Sequence, residues 1–375
     1  MRSFAKLSIY LYLNRITCQG GKMNENVKFG MMIAYPLPHP VQKIYRVGRR
    51  IEEVGFDSLW IADHILMLPV GYTPDTWSIL GALSVKTEKI KMGVGVSDVH
   101  RRHPAILAQT AATVDQLSNG RLILGLGPGE AMNLDPFSID WKKKPVSKLV
   151  EFIDVMRRLW GSDPSNTIDY GGEFYTLKRA CLDVKPIQMP IPIYIGANGP
   201  RTRRIAGEIA DGWIPWNECP KTYEKHVREV EEGAKKASRS IKDIDTCLQI
   251  YTAISDDEEE IEQLKVYPLG TIASNIEKLL EAGYKVDLPE GVEKDFGFKV
   301  LIGEGEEKMM ELAQYIPEDA ADDFSIMGNV NEVIEKIDRF IRFGVKHFQL
   351  INIGPDAREV QKIYGEKIIP YFKGE

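Results

Sequence analysis

From Val27 onward the chain repeats one unit, a short apolar run followed by an amphipathic stretch, and the repetition leaves few folds open. "VKFGMMIA" has the apolar density of a buried strand, and "VQKIYRVGRRIEEVG" then sets Val41, Ile44, Val47 and Ile51 at helical spacing until Gly55 stops it. The same alternation follows in "DSLWIA" with a helix over 76–85, "KIKMGVGV" with "PAILAQTAATVDQLS", and "RLILGLG" with "VSKLVEFIDVMRRLWG". It continues in "PIPIYIGA" with a helix over 201–209, and in "DGWIPW" with a helix beginning near Pro220. "TCLQIYTAI" is a seventh strand. Asn329 and Glu332 then form a capping box for a helix that Gly344 ends, and residues 347–353 make the eighth strand.

Eight strands alternating with helices predict an α/β chain, a (β/α)8 TIM barrel with insertions. A doubly wound sheet would need a nucleotide fingerprint, and "GLGPGE" lacks the third glycine. We expect one barrel domain over 23–375, with insertions near 130–145, 162–185 (a hairpin around "YGGE") and 256–324, the last irregular and containing an excursion, "LPEGVEKDFGFKVLIGEGEE". Residues 1–22 read as an N-terminal extension outside the fold, because Asn14 and Arg15 interrupt its apolar stretch and no cleavage site follows.

With 375 residues, 43% of them hydrophobic, the chain can bury a large core; its net charge of −6 and lack of a dense Lys/Arg run argue against nucleic acid or a membrane as partner. Cys18, Cys181, Cys219 and Cys247 form no CxxC pair, so no metal or disulfide framework is signalled and a reducing cytoplasm is the simplest setting.

In a barrel, chemistry gathers where strands end. That rule places Asp63 and His64, "VGVSDVHRRHP", "GPGEAMN" and "GANGPRTRR" on one rim. His64 suits general acid/base work, with a solvated or structural histidine as the competing reading. Glu130 follows a glycine loop, and alone it reads equally as a surface carboxylate. In "GANGPRTRR" three arginines, Arg201, Arg203 and Arg204, open a helix against its dipole, which predicts an anion there unless other groups compensate. His100 and His103 lack a third metal ligand, and Trp213 and Trp216 read as packing residues, with a substrate wall as the alternative.

Taken together, "WIADH", "HPAILAQTAATVDQLSNGRLILGLGPGEAMN", "IPIYIGANGPRTRRIAGEIADGW" and "HFQLINIGPD" resemble the luciferase-like flavin and deazaflavin barrel superfamily, over Lys28 to Phe372. The nearer resemblance is to its coenzyme F420-dependent archaeal branch. It implies a homodimer, coenzyme F420 as cofactor (FMN as the alternative), and hydride transfer to or from a small-molecule substrate such as an alcohol or carbonyl. It also implies Asp63 against the cofactor, His64 facing the substrate, and Glu130 as a second acid/base. The ring would rest on a non-prolyl cis peptide at Val94–Gly95 with Ser97 beyond it; Gly127, Pro128 and Asn133 would line the same loop. Ala197, Asn198, Gly199, Pro200, Arg201 and Arg203 would hold the cofactor phosphate, and the run at Lys142 would meet its acidic tail or stay solvated. Departures qualify the substrate: Met32, Pro36 and Leu68 stand where relatives carry a glutamate or tryptophan. A methylenetetrahydromethanopterin reductase, an FMN monooxygenase and a non-enzymatic flavin binder are the alternatives.

Overall fold

A computed structural model describes residues 27–33, 41–67, 73–288, 290 and 304–374. The extension at 1–22, Pro36, Leu68 and most of the 288–307 excursion lie outside the described residues. Eight parallel strands close on themselves in chain order. They are β1 (Lys28–Met32), β2 (Ser58–Ile61), β3 (Lys91–Val94), β4 (Leu122–Gly127), β5 (Ile193–Gly196), β6 (Gly212–Ile214), β7 (Asp245–Ile254) and β8 (His347–Asn352). Closure is made where β8 returns to β1 with His347 opposite Lys28. All eight predicted strands are present, as a (β/α)8 barrel.

The crossover helices are α1 (Ile44–Glu53), α2 (Thr76–Ser84), α3 (Pro104–Leu117), α4 (Pro145–Trp160), α5 (Pro200–Ile209), α6 (Pro220–Lys236) and α7 (Val330–Arg342), followed by a C-terminal helical run from Ala357 to Lys373. Local chemistry sets their ends. Asn329 accepts from the Asn331 and Glu332 amides while Glu332 accepts from the Asn329 amide, and Gly55 and Gly344 take positive φ of 92° and 103° after α1 and α7.

Between α5 and α6 the backbones nearly touch: a Cβ on Gly207 would lie 2.0 Å from the Val230 carbonyl oxygen, and one on Gly233 1.9 Å from that of Arg204. This seam decides the fate of the arginines that open α5.

Inside the barrel, Trp60 and Tyr194 fill the space below the mouth, their rings 6.0 Å apart. Glycines on facing strands make room, since a Cβ on Gly93 would lie 2.0 Å from the Trp60 ring and one on Gly212 2.5 Å from that of Tyr194. Deeper still, partly buried Asp245 accepts from Tyr194 Oη (2.6 Å), His347 Nδ1 (3.0 Å) and Lys28 Nζ (3.0 Å), while His347 Nε2 meets Ser58 Oγ at 2.7 Å. Burial alone would raise the Asp245 carboxyl, but His347, Lys28 and Tyr194 outweigh it and hold the group well below the usual carboxylate range. Asp245, Cys247 and His347 are close enough to share a metal, yet both imidazole nitrogens are already engaged, so the cluster is a hydrogen-bond network.

The 162–185 insertion is the expected antiparallel hairpin, Ile168–Gly171 with Thr176–Ala180. The described residues of the 256–324 insertion are largely helical, with a small core around Ile272, Leu279, Leu312 and Phe324. Two short strands were not anticipated: Ser97–Asp98 pairs with Leu126–Gly127 of β4, and Ser325–Gly328 pairs with the upper half of β7, along Tyr251–Ile254. Four residues are too short to show alternation, and only the edge left open by short β6 draws them into the wall.

Candidate functional site

At the C-terminal mouth lies a cavity of about 760 Å³. Asp63, His64, Gly95, Gly127, Pro128, Glu130, Asn133, Asn198 and Gly199 line it, so most of the rim residues expected from sequence are brought together.

β2 ends at Ile61 and delivers the Asp63–His64 pair to the wall. Asp63 is buried and serves as an anchor: its Oδ2 accepts from Ser97 Oγ, from Arg102 Nη1 (2.8 Å) and from Trp77 Nε1 (3.4 Å), with Arg101 Nη2 at 3.3 Å. Ser97 is fully buried behind the wall and acts through Asp63. Arg101 also grips Asp98, whose carboxyl, although pushed upward by burial, ends below its ordinary range because of that guanidinium and two backbone amides.

His64 is partly exposed, and its Nε2 lies 3.3 Å from Glu130 Oε1. Its Nδ1 is buried with no partner. Glu130 is held in turn by Asn133, whose Nδ2 donates to Oε1 at 2.6 Å; the Asn133 Oδ1 accepts the amides of Ile65 (2.6 Å) and Leu66 (2.9 Å), immediately after His64. One buried amide thus fastens the loop after β2 to the loop after β4. The latter loop is steadied from below by His100, whose Nε2 donates to the Pro128 carbonyl (2.9 Å) while Nδ1 faces Lys148 (3.3 Å). Desolvation, and to a lesser degree Lys148, lowers the His100 pKa, consistent with a neutral ring donating from Nε2. His103 caps α3, accepting from the Ala105 amide.

The cis peptide is one residue later than expected, at Gly95–Val96 and not Val94–Gly95. Val94 is fully buried opposite Ile61, and the Gly95 amide still donates to the Ile61 carbonyl (2.9 Å), so the ladder holds the chain extended through Gly95. Val96 then leaves the sheet and sits against glycines: a Cβ on Gly127 would lie 2.9 Å from its side chain and one on Gly196 3.2 Å.

The three arginines that open α5 already have partners within the protein. Arg203 is buried and donates to Glu229 Oε2 (2.8 Å) and to the Asn198 carbonyl; Arg204 pairs with Glu232 (3.2 Å), both across the α5–α6 seam. Arg201 is exposed and bonds Ser147 Oγ at 3.0 Å, Pro200 is exposed, and buried Ala197 gives its carbonyl to Trp213 Nε1 (2.9 Å). Glutamates on α6 therefore supply the compensation that the sequence reading assigned to an anion. What α5 offers the cavity is Asn198, Gly199 and the unforeseen Thr202. Lys142 and Lys144 form surface pairs with Asp135 (3.1 Å) and Glu173 (2.9 Å).

Of the other lining residues, Met32 and Trp216 were weighed in the sequence, whereas Tyr251 and Lys278 were missed. Met32 accepts from Gln249 Nε2 at 3.4 Å, and Trp216, Tyr251 and Lys278 complete the far wall. Trp213 is a core residue, whereas Trp216 lines the cavity. Trp216 ends a strand and was within reach of the rim rule; Lys278 comes from the irregular insertion and carried no sequence signal.

The barrel and its rim define a (β/α)8 protein with an acid–base pair on the wall of a ligand-sized cavity. Within that class the chain belongs to the luciferase-like monooxygenase family, whose model matches residues 17–347. It is 32% identical over 336 residues to an F420-dependent glucose-6-phosphate dehydrogenase of Microbacterium testaceum (strain StLB037), covering 87% of this chain and 92% of that protein. It is 31% identical over 354 residues to a 5,10-methylenetetrahydromethanopterin reductase of Methanopyrus kandleri, covering 88% and 95%. Among solved structures, an F420-dependent secondary alcohol dehydrogenase in complex with an F420–acetone adduct superposes with a TM-score of 0.77 at 25% identity, over 91% of this chain and 98% of that one. The coenzyme F420-dependent tetrahydromethanopterin reductase of Methanopyrus kandleri gives 0.78 at 30% identity, over 93% and 100%.

Proposed function

We propose that this protein is a coenzyme F420-dependent oxidoreductase acting on a small organic substrate, an alcohol, carbonyl or related compound. The observation that carries the reading is the His64–Glu130 pair, 3.3 Å apart on the cavity wall, with an unpartnered imidazole nitrogen. Relatives named for F420 chemistry across both sequence and structure comparisons support the choice of cofactor.

The residues present fit such a group. Val96, set against Gly127 and Gly196, offers an apolar shelf on the wall, and Asn198, Gly199 and Thr202 line the same cavity. When bound, a deazaflavin supplies hydride chemistry at its ring carbon. The protein's part is proton management and positioning. His64 takes or returns the proton of the reacting hydroxyl, and Glu130 steadies the charge that appears on the imidazole. Asn133 keeps both on one side of the mouth, and Asp63, locked by two arginines and Ser97, holds the strand end beneath them. Met32, where the reductases of the resemblance place a glutamate, favours an apolar substrate face near β1.

The proposal includes a homodimer in the cytoplasm; no helix among the described residues is long and apolar enough to cross a membrane. Fluorescence and calorimetric titration with F420 and, separately, FMN tests the cofactor. Tighter binding of F420 is the expected result, and preference for FMN would move the protein to the monooxygenase reading.

A further inference from the structure

The segments after β2, β3 and β4 bring charged side chains to the cavity, Asp63, His64, Asp98 and Glu130. The opposite half of the barrel brings neutral amides. Gln249, midway along β7, lines the cavity, and its Nε2 donates to a weak acceptor, the Met32 thioether, at 3.4 Å. Asn217, just after β6, stands beside it, with its backbone N–H on the Gln249 carbonyl at 2.9 Å. At φ 49° the Asn217 backbone is left-handed, which asparagine tolerates. Its side chain lines the cavity, 3% exposed, with a buried Oδ1 that has no partner. Gln349 on β8 lies opposite Gln249 in the strand register; it is fully buried behind the lining, and neither Oε1 nor Nε2 is paired. Both glutamines reach toward Gly95, where a Cβ would lie 3.6 Å from Gln349 Oε1 and 3.7 Å from Gln249 Nε2. Met32, Ile214 and Ile351 make the surroundings apolar. The neighbouring Lys278 is engaged by the Trp216 carbonyl, Asn198 Oδ1 (3.3 Å) and Glu218 Oε1 (3.0 Å), so this wall offers amides and not a free charge. Buried carboxamides with unmet atoms in an apolar setting are costly until a partner completes them.

We propose that Asn217 and Gln249 form a subsite for a carboxamide-type edge, an N–H beside a C=O as in a lactam, imide or primary amide, and that Gln349 positions Gln249 from behind. Asn217 Oδ1 accepts the ligand N–H. Gln249 Nε2 leaves the thioether, giving one hydrogen to the ligand carbonyl and the other to Gln349 Oε1. The proposal deepens the reading of this cavity as the cofactor and substrate site, and rests on it. The edge belongs either to the pyrimidinedione ring of the deazaflavin or to the substrate.

The test compares wild type with Asn217→Gly, Gln249→Met and Gln349→Met; glycine keeps the left-handed backbone, and methionine keeps the length of glutamine. Melting curves establish that each protein is folded. Two probe pairs are titrated by calorimetry and ligand-observed NMR: the deazaflavin ring fragment with its N-methyl imide analogue, and, in the presence of F420, pyrrolidone with N-methylpyrrolidone. Wild type is expected to prefer one N–H probe over its methylated twin by about tenfold, and Asn217→Gly and Gln249→Met are expected to lose that preference. Preference for the ring fragment assigns the edge to the cofactor, and preference for the lactam assigns it to the substrate. Gln349→Met is expected to erode the same preference yet melt no lower than wild type, because the unpaired amide it removes stabilises nothing in the free protein. A lowered melting temperature with the preference intact would make Gln349 a structural residue and overturn its positioning role. Wild type that prefers neither N–H probe, or folded Asn217 and Gln249 variants that keep the preference, overturns the subsite. Lactam preference in a protein that binds no deazaflavin would leave the subsite standing and remove the cofactor reading instead.

Discussion

Replacing Asn133 separates two jobs that one side chain performs. Its oxygen accepts two amides from the loop after β2, at 2.6 and 2.9 Å, and its nitrogen donates to Glu130 at 2.6 Å. Asn133→Ala leaves two backbone donors and one carboxylate short of a partner; water reaches the partly exposed Ile65–Leu66 segment, so a loss of about 1–3 kcal/mol in stability is expected. Asn133→Asp is the more telling change. A carboxylate still accepts both amides, so the loop should hold and the melting temperature should stay near that of wild type. The atom facing Glu130, however, becomes an acceptor with a negative charge. Two unit charges at 2.6 Å repel by about 6 kcal/mol at an effective dielectric of 20 and about 1.6 kcal/mol in bulk water. Glu130 is 23% exposed, so it can escape by swinging outward, and the His64 contact breaks. Thermal melts with steady-state turnover, read from the deazaflavin absorbance, should show Asn133→Ala weakened in both respects. Asn133→Asp should be stable yet roughly tenfold or more slower. An aspartate variant that turns over like wild type would refute the claim that Asn133 positions Glu130, and an alanine variant that melts like wild type would refute the loop anchor.

Removal of the proton-handling group by His64→Asn should lower kcat by about 10²–10⁴-fold while the F420 dissociation constant stays put, checked by turnover and calorimetry side by side. In the barrel wall, Gly125→Ala would set a Cβ 2.0 Å from the Val94 carbonyl oxygen, a backbone atom that cannot turn aside; about 2–3 kcal/mol of stability or more should vanish, whereas Gly171→Ala in the hairpin, with open space around it, should melt like wild type. Acid stability should depend on Glu218. Burial raises its pKa, but Lys278 and His226 outweigh that and bring it from 4.5 to about 2 in the fold. A depressed folded value means stability that is fully present above the unfolded pKa and is lost as pH falls from about 4.5 through about 2. Glu218→Gln should flatten that part of the pH–stability curve, and an unchanged slope would show that the pair contributes nothing to it.

The barrel was legible because its signal is local. Buried strands such as Ser58–Ile61 and Leu122–Gly127 are continuous apolar runs, and helices such as Val330–Arg342 announce their caps, so periodicity alone orders eight strands and seven of the crossovers. The end of a strand is also a place in space, and that is why Asp63, His64 and Glu130 could be assigned to one mouth before any coordinates. The pairing of charges has no such local address. Arg203 looked like a free cation until a glycine seam brought Glu229 to it from 26 residues away, and Lys278 carried no signal until the insertion brought it 80 residues back to Asn198. Val96 likewise could be placed only once the ladder was seen to hold through Gly95. The sequence by itself determined the architecture and the rim, since both follow from patterns a few residues long. Which charges face the cavity was decided by tertiary structure, because an ion pair depends on distances that only the closed barrel and its packed helices set.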